Sequence, residues 1–162
     1  MSALSAAVQR RYRIVKSHVQ NYRVANAVTI YMGSFCGLPG TSGFTSTRGY
    51  ARPWSNVATL EWIGVAFGSG TNDLSVTSTV VGDTSASPVV EVSCEGGQII
   101  LEQHAVTGVS AQADVGKVVY ATNDNDLTLT ANLAPAIGRV ENWYSSTTAD
   151  VLIYGRVASL VI

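Results

Sequence analysis

Short segments that alternate apolar and polar residues recur along this chain, each cut off by glycine, proline or an Asn/Asp cluster, and this punctuation points to strands and turns. Val28, Ile30 and Met32 alternate with Thr29 and Tyr31, and Leu127-Thr128-Leu129-Thr130 alternates again. Residues 60–67, 76–81, 89–93, 98–102, 114–120, 137–141 and 151–157 read as further strands. The Gly96-Gly97 signal suggests that 89–93 and 98–102 pair as a hairpin. Residues 33–49, with five glycines and Pro39, read as a long connecting loop. Valine, isoleucine and threonine supply 45 of the 162 residues, and their stiff χ1 suits a pleated sheet. At 17.0 kDa the chain encloses one core. The expectation is all-β: a single β-sandwich or β-barrel-like domain over residues 26–162, preceded by a basic N-terminal arm over 1–25 that is helical or extended.

The net charge of −1 hides a division. Residues 1–60 carry seven basic side chains and no acid, whereas 61–162 carry three basic against eleven acidic ones. A basic segment of this kind meets an acidic surface, of another protein, a neighbouring copy or nucleic acid. Within it Val8, Tyr12, Val15, Val19 and Tyr22 recur at helical spacing. Arg10, Arg11, Arg13, Lys16 and Arg23 are the candidate partner-contact residues, with packing of the segment on its own domain as the other reading. Five basic residues without a reading motif do not indicate nucleic acid. The segment lacks the Trp, Phe and Leu of a membrane-surface helix, and no apolar run approaches a bilayer span. The expected product is soluble and unsecreted.

Catalytic, cofactor and metal signatures are not found. His18 and His104 sit in no motif that would orient a base. Asp83-Thr84-Ser85 reads as a surface turn, and Gly68-x-Gly70 precedes no helix N-terminus. Residues 123–126, Asn-Asp-Asn-Asp, offer oxygen ligands to calcium, but a type I′ or longer hairpin turn explains them without a metal and is the preferred reading. Cys36 and Cys94 read as two core thiols, with a single bridge as the alternative. Trp54, Trp62, Trp143, Tyr31, Tyr50 and Tyr144 read as core or interface anchors; in a glycan- or receptor-binding module Trp54, Trp143 and Tyr144 would line a groove.

Thr29-Ile30-Tyr31-Met32-Gly33-Ser34-Phe35-Cys36-Gly37, Gly49-Tyr50-Ala51-Arg52-Pro53-Trp54 and Trp62-Ile63-Gly64-Val65-Ala66 resemble the opening segments of tailed-phage and prophage head decoration, or capsid cement, proteins. Asp114-Val115-Gly116-Lys117-Val118-Val119-Tyr120-Ala121, Leu127-Thr128-Leu129-Thr130, Ile137-Gly138-Arg139-Val140 and Val151-Leu152-Ile153 resemble the same family's second half. The resemblance implies a non-enzymatic β-rich virion protein without cofactor, a homotrimer or alternatively a homodimer. It is made in the host cytoplasm and binds the outer surface of the capsid, where its partner is the major capsid protein.

Overall fold

The computed structural model describes residues 10–39, 49–56, 60–67, 79–82 and 90–154. These residues are all-β apart from one 3-10 turn, Gln112–Asp114. The strands are β1 (Tyr12–Lys16), β2 (Val19–Arg23), β3 (Thr29–Tyr31), β4 (Phe35–Pro39), β5 (Arg52–Pro53), β6 (Leu60–Phe67) and β7 (Thr79–Val81). They continue as β8 (Glu91–Glu95), β9 (Gln98–Thr107), β10 (Val118–Ala121), β11 (Leu127–Thr128), β12 (Ala136–Ser145) and β13 (Thr148–Ile153).

Strands β9, β11, β10, β12 and β13 close into a barrel, because β13 pairs back onto β9. All its pairings are antiparallel except β11 with β9. A five-stranded sheet, β2-β8-β6-β4-β5, covers the barrel, and a ribbon of β3 and β7 forms a third element. The inner part of the covering sheet, around β4, is buried on both faces. Phe35, Trp54, Leu60, Trp62 and Val65 share a core with the barrel's Leu101, Leu127, Ile137, Val151 and Ile153. Cys36, Leu38, Ile63, Ala66 and Cys94 face a second core with Ile30, Met32 and Val80. This explains β4, Phe-Cys-Gly-Leu-Pro, in which every residue is buried: with both faces covered there is no polar alternation to read. Residues 35–39, expected within a loop, are therefore an interior strand. Gly37 is required there, since a Cβ would lie 2.9 Å from the Trp54 ring.

The two sheets are joined by a shared corner. β1 pairs β9 in the barrel sheet and β2 pairs β8 in the covering sheet, so residues 12–23 run antiparallel to 91–101 across a bend. The expected hairpin between 89–93 and 98–102 does not form, because β8 and β9 continue one another around Gly96 and Gly97 into different sheets. A Cβ on Gly97 would sit 1.8 Å from the Lys16 carbonyl oxygen. The buried Glu95 carboxylate ties the bend together. Its Oε1 accepts from the backbone N–H of His18 at 2.5 Å and of Gly97 at 2.8 Å, and its Oε2 from Ser17 Oγ at 2.7 Å.

Tyr12–Lys16 and Val19–Arg23 are thus strands, so of the helical and extended readings of this segment the extended one holds. The helical stripe dissolves accordingly: Tyr22 is buried, Tyr12 and Val19 are half-buried, and Val15 is 54% exposed at a bulge in β1. β-branched and aromatic residues in this stretch satisfy either periodicity, and ladder pairing to β8 and β9 decides between them. Val8 lies outside the described residues.

Both cysteines are free and fully buried. Cys36 registers with Gly64 and Cys94 with Ala66 on the intervening β6. A hydrogen bond with Cys94 and then burial push the Cys36 thiol well above its ordinary pKa.

Candidate functional site

Where the N-terminal segment meets the barrel, the sequence collects polar side chains that are distant in the chain. Arg10 precedes β1 and is only 6% exposed. Its Nε donates to the Gly33 carbonyl at 2.5 Å and its Nη2 to Asn125 Oδ1 at 3.1 Å. Its Nη1 lies 3.4–3.5 Å from the two ring nitrogens of His104, and the guanidinium carbon sits 4.5 Å from the Phe35 ring centroid, a cation–π contact. Burial lowers the Arg10 pKa to about 10, opposed by the charges of Asp124 and Asp126, so the group stays charged at neutral pH.

His104 is held neutral. Burial and then the neighbouring Arg10 charge bring its pKa down to about 4. The ring stands edge-on to Phe35 at 6.2 Å, with Nε2 3.4 Å from the Asn125 carbonyl oxygen. The preceding residue, Gln103, has φ +48°, a left-handed conformation costly for a residue with a Cβ. Its N–H donates to Asp150 Oδ1 at 2.9 Å across a bulge in β13, and Asp150 Oδ2 accepts from Tyr144 Oη at 2.9 Å.

The turn at 123–126 is organised from within. Asn123 Oδ1 accepts from the N–H groups of Asn125 and Asp126, both at 2.8 Å, and the two Asp126 oxygens accept from the side-chain amides of Asn123 and Asn125 at 2.9 and 3.1 Å. These bonds are those of an Asx turn. Among the described residues no group of three or more His, Cys, Asp or Glu is arranged to hold a metal. Together these elements border an open cleft of about 340 Å³, lined by Arg10 and Arg11, by residues 102–105 of β9, and by Asn125 and Asp126.

The five basic candidates do not act alike. Arg10 is turned inward, whereas Arg11, Arg13, Lys16 and Arg23 are exposed along β1 and β2. Arg13 approaches Glu102 at 3.9 Å, and Arg23 lies opposite Glu91 in the β2–β8 ladder. With Arg10 answering Asp124 and Asp126, part of the acidic surface that meets the basic segment belongs to the chain itself. Sequence reasoning weighed Arg10, His104 and the 123–126 turn separately but did not bring them together, since His104 and Asn125 are 94 and 115 positions from Arg10. The interruption of alternation at Glu102-Gln103-His104 was the available signal.

The aromatic residues do not converge on a groove. Trp54 and Trp62 are 2% and 3% exposed, packed edge-to-face at 5.5 Å, and donate through Nε1 to the carbonyls of Ala121 and Tyr154. Trp143 is half-buried against the barrel core, and Tyr144 is exposed.

No protein-family model, curated protein or solved structure matches this chain.

Proposed function

We propose that this protein is a structural decoration protein of a tailed-phage head, binding the outer surface of the capsid and stabilising contacts between major capsid protein subunits as a homotrimer. The observation that carries this reading is the ordered series of sequence likenesses between Thr29 and Ile153. Their segments fall on β3 to β6 and β10 to β13 of one all-β body. Further support comes from the edge formed by β1 and β2, which places Arg11, Arg13, Lys16 and Arg23 on the surface beside exposed Ile14 and Val15. The polar cleft is in keeping with binding: among the described residues its lining holds no hydroxyl, thiol or amine, and its histidine is packed against Arg10 and Phe35. A protein that ties shell subunits together works through interface area, and many copies on a symmetric shell gain avidity.

The test is co-sedimentation with undecorated heads, together with mass by light scattering. Truncation through residue 22 would remove β1 and most of β2, so the informative variant replaces Arg11, Arg13, Lys16 and Arg23 together by Gln. The wild type is expected to be a trimer that saturates the heads, and the quadruple variant to lose occupancy. A monomer that leaves the heads undecorated would overturn the reading.

A further inference from the structure

The cleft between the N-terminal segment and the barrel carries more hydrogen-bond donors than its surroundings use. A guanidinium has five N–H groups. Arg10 directs one to Gly33, one toward His104 and one to Asn125, so two N–H groups on its terminal nitrogens keep no acceptor among the described residues. Arg11, exposed on the same cleft, has no ion pair among the described residues. Of the acids nearby, Asp126 accepts from side-chain amides through both oxygens, and Glu102 lies 3.9 Å from Arg13.

Spare donors on a buried guanidinium fit a group that accepts. Two parallel N–H groups on a rigid fork match a planar pair of oxygens. The carboxylates of Glu102 and Asp126 in the lining disfavour a dianion such as phosphate and tolerate a single negative charge. We propose that this cleft binds a carboxylate group, gripped by the terminal nitrogens of Arg10 and met by Arg11 at the rim. The strained backbone at Gln103 and the packing of Arg10 against Phe35 hold the fork in place before the ligand arrives. This site stands whether or not the protein decorates a capsid.

The test uses the full chain at neutral pH and fixed ionic strength, with nuclear magnetic resonance following the His104 ring and the amides of Gln103 and Asn125. One arm titrates acetate and succinate, a second a short glutamate peptide, and a third chloride as control. The expected result is a saturable response to the carboxylates that chloride does not give. Arg11→Gln, at an exposed position that leaves the fold intact, is expected to weaken it about tenfold, the scale of one charge-assisted hydrogen bond. Tighter binding of the peptide assigns the site to an acidic protein segment, and binding of the small acids alone assigns it to a free organic acid. A response equalled by chloride, no saturable response, or one unchanged in Arg11→Gln overturns the proposal.

Discussion

His104 is a residue through which mildly acidic pH acts on this fold. Its pKa is about 4 in the folded chain against an ordinary 6.5, so between these values the unfolded chain binds the additional proton. Stability is therefore full above pH 6.5 and falls as pH drops from 6.5 toward 4. The shift corresponds to about 3 kcal/mol at the acid end of that window. Asp114 adds a second loss further down. Hydrogen bonds from Lys117 and the N–H groups of Ser110 and Ala111 hold its carboxyl well below the usual range, so its contribution disappears only as pH falls below the ordinary carboxylate value. His104→Gln is expected to flatten urea-derived stability between pH 6.5 and 4 while leaving the lower-pH decline. An unchanged slope would show that His104 is not the group responsible. Arg10→Met is expected to destabilise by about 1–3 kcal/mol at neutral pH, because it leaves the Gly33 carbonyl and Asn125 without their buried donor, and to lessen the loss between pH 6.5 and 4, because the Arg10 charge helps to hold the His104 pKa down.

At the scale of elements, the legible parts were those whose environment matches the simple rule. β6, β9, β12 and β13 overlap the strands expected at 60–67, 98–102, 137–141 and 151–157, the last of which runs beyond the described residues. β4 was not legible, because a strand buried on both faces loses its alternation and its glycine serves a Trp54 contact rather than a turn. Gly96-Gly97 was read as the tip of a hairpin, yet the pair lets two strands turn a corner together. That distinction depends on residues 12–23, which local sequence does not associate with residues 91–101. The corner makes Gly97→Ala far costlier than an ordinary glycine substitution, since the new Cβ collides with the Lys16 carbonyl. Circular dichroism is expected to show loss of the native sheet in that variant, and a native spectrum would refute the corner geometry. The cysteines give a contrasting expectation. Cys36 and Cys94 flank β6, and two strand spacings separate their backbones by about 9.6 Å, beyond the reach of about 7 Å that a disulfide permits. Diamide treatment of the native protein is expected to leave both thiols free for alkylation after unfolding, and a mass 2 Da lower would contradict it.

For the whole molecule, the decisive feature is that barrel and covering sheet own no separate interior on the side where they meet. Trp54, Trp62, Phe35 and Val65 come from the covering layer, and Leu101, Leu127, Ile137 and Val151 from the barrel, yet they form one cluster. The layers are also stitched by polar bonds: Phe35 N–H donates to the Asp124 carbonyl at 2.8 Å, Trp54 Nε1 to Ala121 and Trp62 Nε1 to Tyr154. Exposing either layer alone would uncover the indole rings and the barrel staves beneath them, so neither is stable without the other. Unfolding is therefore expected to be a single cooperative transition. Tryptophan fluorescence, dominated by Trp54 and Trp62 in the shared core, and far-ultraviolet circular dichroism, which reports all strands, should give coincident urea curves. Trp62→Ala removes an indole that is 3% exposed and the bond to Tyr154, and should lower stability by about 3–5 kcal/mol while leaving the two curves superimposed. Fluorescence that falls at lower urea than the circular dichroism would mean that the sheet leaves an intact barrel, and the shared core would then not be what couples them.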